Sequence, residues 1–482
     1  MRSSGPAILR DIVLVGGGHS HVGVLRSFGM RPEPGVRLTL VCTDAHTPYS
    51  GMLPGYVAGH YTYDDVHIDL GRLAGFAGAR FLCAEVTGID RVAREVQLRG
   101  RPAIPYDLVS INTGSTPQMA AVPGALAHAV PVKPITGFNR RWLALLERVR
   151  SHDGPMVIAV VGGGAGGVEL LLAMQYRLAR ELQGAGRDPS ALVFHLFTSD
   201  AHLLATHNPG VRARFDAVLQ ARGVHVHRSA RVVAVDAHGV RTEAGEQVAV
   251  DETVWVTQAG GGAWLRDTGL ALDASGFVRV NAFLQSVTDP AVFAAGDVAS
   301  LEGRPLEKAG VFAVRMGLPL ALNLRRALQS RPLQAYRPQR RWLALVSTGD
   351  RYAVASRGAI GFAGAWVWRW KDWIDRRFMR RFSEFPPMPA AAPAAPAAPA
   401  QIALSQEESH QAAAALAMRC GGCGAKVGAS VLARALATLP PQHREDVLLG
   451  LQSPDDAAVV RIPAGKALVQ SIDFFRAFYD DP

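Results

Sequence analysis

Cysteine is scarce in this chain: Cys42, Cys83, Cys420 and Cys423 are the only four among 482 residues. So few thiols exclude a disulfide scaffold and suit a reducing compartment. Long apolar runs are missing too, and no stretch reaches the roughly 20 residues a membrane-spanning helix needs. Residues 1–11 lack the apolar core of a signal peptide. A cytoplasmic protein is the resulting expectation. Charged residues make up only 19%, and the net charge of +10 comes from scattered arginines, with one denser stretch at 369–381. No long basic stripe accompanies that charge, which excludes a nucleic-acid-binding class.

What is abundant is apolar, at 49% of residues, in a length that allows roughly three domains with cores of their own. Two glycine loops stand out: Val15-Gly16-Gly17-Gly18 near the start and Val161-Gly162-Gly163-Gly164-Ala165-Gly166-Gly167 about one domain later. Each follows an apolar strand-like run and precedes a helical pattern. Glycine is needed where the backbone turns sharply against a pyrophosphate, and the helix that follows aims unpaired N–H groups and its positive dipole end at the anion. Two such loops imply two dinucleotides.

Further strand-like runs are read at 36–42, 106–111, 192–197, 253–257 and 292–295, with a long helix at 309–328. Strands alternating with helices predict an α/β fold of two Rossmann-like units with parallel sheets. The run at 106–111 enters the turn Asn112-Thr113-Gly114-Ser115, and that at 292–295 ends in Gly296-Asp297. From 386 to about 400 the chain is nearly all proline and alanine, a linker composition unable to form a core. A short α+β segment, 418–482, follows.

The order of first loop, Thr-Gly turn, second loop and Gly-Asp turn resembles the pyridine nucleotide oxidoreductases with two dinucleotide folds, nearest their NADH dehydrogenase-like branch. The resemblance implies FAD on Gly16 and Gly18, NAD(P)H on Gly162, Gly164 and Gly167, and a flavin contact from Gly296 and Asp297. Thr113, Gly114 and His19 join the FAD-binding set, as does the loop Pro48, Tyr49 and Ser50, expected beside the isoalloxazine ring. Lys308 is a candidate for favouring charge on the reduced flavin, the alternative being a solvated lysine. Two departures stand out. His21 occupies the position of the third small residue, and Cys42 replaces the acid that holds the ribose, leaving Asp44 as a substitute. Cys42 and Cys83 are isolated in sequence, so a quinone or another small acceptor is expected in place of a disulfide. NADH and NADPH are not distinguished.

Residues 366–382 mix Trp366, Trp368, Trp370, Trp373, Ile374 and Phe378 with arginines. As a helix they would suit peripheral contact with an anionic bilayer on the inner face of the cell membrane, a dimer interface, or packing on the flavoprotein body.

The last segment resembles the start of selenophosphate synthetase (selenide, water dikinase) in three ordered motifs: Cys423 with Lys426, Asp455-Asp456-Ala457-Ala458, and Asp473-Phe474-Phe475. The resemblance implies a catalytic Cys423 and Lys426, and magnesium on Asp456 and Asp473 with ATP once the domain is complete. It stops at Pro482, inside that domain.

The expected layout is an oxidoreductase at 1–385, with FAD parts 1–150 and 285–330, an NAD(P) part 151–284 and an extension 331–385. The linker is 386–417 and the truncated synthetase segment 418–482. The expected function is NAD(P)H oxidation through FAD to a quinone or a selenium compound. Alternatives are selenophosphate synthesis by a longer fusion, with the flavoprotein supplying reduced selenium, and a non-enzymatic membrane-associated scaffold.

Overall fold

From Ile12 onward the strand Arg10–Val15 is apolar on both sides, and Ile12, Val13 and Leu14 are wholly buried, as a central parallel strand must be. It is the middle of a five-stranded parallel sheet in the order Val292–Ala294, Leu108–Ile111, Arg10–Val15, Val36–Cys42, Arg80–Cys83. A second parallel sheet runs Ala129–Pro131, Glu252–Trp255, Met156–Val161, Leu192–Phe197, His225–His227. The computed structural model describes residues 8–152, 154–257, 259–386, 402–405, 408–409, 447–449, 457–462 and 464–471.

In both sheets the strand order reverses beside the strand that feeds a glycine loop, which opens a crevice at the carboxyl ends of the strands. Helix His19–Met30 leaves the first loop and crosses helix Gly310–Leu328 closely, since a Cβ on Gly23 would lie only 3.2 Å from the Gly317 Cα. Arg325 holds the crossing by donating to Ser27 Oγ at 3.0 Å and to the Arg31 carbonyl at 2.8 Å.

Two boundaries differ from the expected layout. Ala129–Pro131 already belongs to the second sheet, so the chain enters that unit before residue 151. Thr116–Pro117 pairs antiparallel with Ala259–Gly260, and Val278–Val280 pairs with Ala299–Leu301, so the return to the FAD part precedes residue 285. Ile402 and Ala403 pack on the first unit beside Gly35 and the Leu328 carbonyl, inside the expected linker.

An antiparallel trio, Ala344–Ser347, Ala353–Arg357 and Ile360–Gly364, delivers the C-terminal helix Ala365–Ser383. That helix buries Val367, Lys371, Asp375, Met379 and Phe382, at spacings of four and finally three residues. Each buried large apolar side chain contributes about 1.5–3 kcal/mol, which offsets the several kcal/mol that desolvating a lysine and an aspartate costs. Trp368 and Phe378 also turn inward, whereas Trp366, Trp370 and Trp373 are 52%, 36% and 51% exposed and form an outer face.

Contact density divides the chain into Met1–Ala403 and Leu404–Pro482. In the second unit the described residues form three antiparallel strands, Val447–Leu449, Ala457–Ile462 and Lys466–Ser471. Cys423, Lys426, Asp456 and Asp473 lie outside the described residues.

Candidate active site

Gly16 has φ of +92°, and a Cβ there would sit 2.7 Å from the Asn112 carbonyl oxygen, so only glycine lets the first loop pass under the Leu108–Ile111 strand. Asn112, 2% exposed, ties the cradle together. Its Oδ1 accepts from the Ser20 and His21 backbone amides at 3.0 and 3.1 Å, and its Nδ2 donates to the Ala295 carbonyl at 2.6 Å. The loop, the Thr113-Gly114 turn and the Gly296-Asp297 turn are thereby locked into one wall. Thr113 itself is exposed, and its Cα backs Gly16.

His21 is not an intrusion into this packing. Its Nδ1 donates to the Gly16 carbonyl at 2.6 Å and its Nε2 accepts from Ser110 Oγ at 2.9 Å, so the ring fastens loop to strand as a neutral imidazole. Burial lowers its pKa from 6.5 to about 4. The unfolded chain therefore binds the proton more readily between those values; stability is full above about pH 6.5 and falls as pH drops toward 4. Urea unfolding is expected to show about 2 kcal/mol less stability from this ring at about pH 5 than at about pH 7, a loss absent in His21→Gln.

His19 opens the helix, and its Nε2 is buried without a partner. Desolvation holds its pKa near 4, so it is neutral and free to hydrogen-bond a bound group. Tyr49 meets it edge-on at 5.5 Å, and Phe378 covers Tyr49 at 4.6 Å. Burial would raise the Asp297 carboxyl, but Lys133 at 2.7 Å outweighs that and keeps it below its ordinary value. Ser115 joins the pair at 3.1 Å from Lys133 and 3.2 Å from Asp297. An orphaned imidazole nitrogen and a cradle that side chains would fill are what an FAD site requires.

The other expected contacts are placed unevenly. Asp44 stands just beyond the second strand, with Thr43 Oγ1 donating to it at 3.1 Å. Pro48 is half-buried in a short strand, and Ser50 is exposed next to Gly310. Lys308 is exposed as a residue, with its ammonium held back on the protein. Its ammonium donates to the Ala299 carbonyl at 2.7 Å and lies 3.9 Å from the Phe277 ring centre, and burial lowers its pKa.

In the second loop, Gly162 has φ of +136°, and a Cβ on Gly167 would be 1.8 Å from the Gly162 carbonyl oxygen. Helix Ala165–Gly184 starts from Gly164 with no side-chain cap, leaving its first turn to an anion.

Sequence reasoning missed a charged cluster where the C-terminal helix meets these parts. Lys371 Nζ donates to Asp375 Oδ2 at 2.7 Å and to the Gly51 carbonyl at 2.5 Å, while Tyr49 donates to Asp375. Burial works against the Lys371 ammonium, but Asp375 and Glu169 outweigh it and hold its pKa above the ordinary lysine value. Glu169, on the helix after the second loop, accepts from the Ser347 amide at 2.6 Å, and desolvation raises its pKa. Only the four-residue spacing of Lys371 and Asp375 within an otherwise amphipathic helix hints at the pair in sequence.

Residues 10–320 match the family of pyridine nucleotide-disulphide oxidoreductases. The chain belongs to that family. It is an FAD-dependent NAD(P)H oxidoreductase. The oxidoreductase is 29% identical over 289 residues to an NADH dehydrogenase-like protein of Mycobacterium tuberculosis, across 56% of this chain and 68% of that one. Its fold is similar to the solved sulfide:quinone oxidoreductase of Aquifex aeolicus, with TM-score 0.65 and 19% identity over 77% and 91% of the two chains. A separate stretch of 66 residues is 48% identical to selenide, water dikinase of Nitratidesulfovibrio vulgaris, covering 13% of this chain but 19% of that enzyme.

Cys42 and Cys83, isolated in sequence, are register partners on neighbouring strands. Cys42 Sγ lies over Gly17 of the loop.

Proposed function

We propose that the oxidoreductase passes electrons from NAD(P)H through FAD to a quinone or a similar small acceptor. The observation that carries this reading is the buried Lys371 and Asp375 pair beside Tyr49 and Glu169. An acceptor reduced by two electrons at carbonyl oxygens must also gain protons, and Lys371 holds one at Nζ in a site that excludes water. FAD, when bound, supplies hydride acceptance and onward electron transfer. In this reading Gly16, Gly18, Thr113, Gly114 and Asp44 hold its phosphates and ribose, and His19 and Asp297 meet its inner portion. Pro48, Tyr49 and Ser50 flank its ring, and the Lys308 cation, close enough to act on Asp297, favours charge on the reduced flavin. Gly162, Gly164 and Gly167 seat the nicotinamide dinucleotide. The solved structure named as a sulfide:quinone oxidoreductase supports a quinone as the acceptor.

Anaerobic stopped-flow reduction by NADH and by NADPH, followed by reoxidation with soluble quinones and selenium compounds, tests the reading. Reoxidation by quinones at rates matching turnover is expected. A reduced flavin that no quinone reoxidises overturns it.

Selenium compounds belong in that panel because the segment 418–482 resembles selenide, water dikinase. In that reading the flavoprotein supplies reduced selenium to a fused synthetase that uses Cys423, Lys426, Asp456 and Asp473 with magnesium and ATP. Reoxidation by selenium compounds no faster than by oxygen removes the idea.

The outer face of Trp366, Trp370 and Trp373, with Ile360 65% exposed nearby, supports peripheral contact with an anionic bilayer. Among the described residues no helix is long and apolar enough to cross a membrane. Co-sedimentation with anionic vesicles, lost in Trp366→Ala/Trp373→Ala, is the expected result.

A further inference from the structure

Cys42 and Cys83 end adjacent parallel strands in register, so their side chains leave the sheet on the same face. Neighbouring strands stand about 4.8 Å apart, within the span a disulfide bridges. Cys83 is exposed, its thiol donating to the Thr43 carbonyl at 3.2 Å, while Cys42 is partly buried with Sγ and the Leu70 side chain closed over Gly17. The Gly16 amide donates to the Val41 carbonyl at 2.7 Å, so the strand end that carries Cys42 also anchors the start of the FAD loop.

We propose that Cys42 and Cys83 form a thiol–disulfide switch that controls retention of FAD. The oxidant is a peroxide. The exposed Cys83 thiolate attacks one peroxide oxygen; the O–O bond breaks, and the departing hydroxide leaves as water with the thiol proton. Cys83 is then a sulfenic acid, oxidised by two electrons. Cys42 sulfur attacks Cys83 sulfur, the S–O bond breaks as S–S forms, and hydroxide takes the Cys42 proton as a second water. Burial raises the Cys42 pKa and keeps it a thiol, so the first step falls to the exposed Cys83, and Cys42 reacts second because register holds it beside the sulfenic acid. To reach Cys83, Cys42 Sγ must turn off Gly17, which uncovers the loop and shifts its anchor.

The test treats the full-length holoprotein with hydrogen peroxide, then maps tryptic peptides without reduction and measures FAD passing a centrifugal filter. Cys42 and Cys83 fall on different tryptic peptides, while Cys420 and Cys423 share a third. A Cys42 to Cys83 cross-link is expected, with FAD affinity falling about tenfold and returning on dithiothreitol treatment. Cys83→Ser should show neither change. Three outcomes overturn the proposal: sulfinic acid at Cys83 with no cross-link, a cross-link with unchanged FAD retention, or equal FAD loss from Cys83→Ser.

Discussion

Replacing Gly167 with alanine is expected to leave a yellow protein that NADH and NADPH reduce at least about a hundredfold more slowly. The new Cβ would lie 1.8 Å from the Gly162 carbonyl oxygen, a backbone atom that cannot rotate away, so helix Ala165–Gly184 must separate from its loop. A displacement of about 1 Å in the nicotinamide is enough to cost two orders of magnitude in a reaction that depends on aligned donor and acceptor. FAD content should be unchanged, because the first cradle contains none of these atoms. Gly164→Ala separates cause from cause. Nothing lies within 4 Å of its Cβ, so thermal stability should match the parent, and any loss of reduction rate there reports the approach of the nucleotide itself. An unchanged reduction rate in Gly167→Ala would show that the second loop does not seat the nicotinamide.

Lys371→Met should cut steady-state turnover with a quinone by about 10²- to 10³-fold while altering flavin reduction by NADH little. It should also destabilise the fold by about 3–5 kcal/mol, since removing one partner of a buried ion pair leaves the other without compensation. Asp375 and Glu169 would remain beside an apolar side chain. The double variant Lys371→Met/Asp375→Leu distinguishes a scaffold from a proton source. It should recover most of the lost stability, as apolar replacement of a whole buried pair does, and none of the turnover. Recovery of both would reduce the pair to packing. The measurements are urea unfolding for stability and separate rapid-reaction traces for the two half-reactions.

Residues whose meaning is local were legible in the sequence. The strands Arg10–Val15, Val36–Cys42, Met156–Val161 and Leu192–Phe197 are predominantly apolar runs, and each glycine loop lies directly between its strand and its helix in the chain. Backbone chemistry of that kind is decided by neighbours in the chain, so two dinucleotide units are legible in the sequence. The helix at 366–382 was legible as amphipathic, but which aromatics face outward depends on what it packs against. The crossings between the two units are not legible, because Ala129–Pro131 and Thr116–Pro117 are too short to show a period of their own.

Only the tertiary structure decided what joins distant positions. Asn112 reads as one turn residue among several until its amide is seen bridging the first helix and Ala295, 183 positions away. His21 looks like a fault in the loop until Ser110 is seen donating to its ring nitrogen. Cys42 and Cys83 look unrelated until two strands come into register. Lys371 becomes a buried cation only because Gly51, Glu169 and Asp375 surround it. A sequence by itself determines backbone geometry and which faces are apolar, since these follow from sterics and hydration of adjacent residues. Electrostatic environment, orphaned polar atoms and thiol pairing depend on which surfaces meet, and that is settled when the sheets and helices pack.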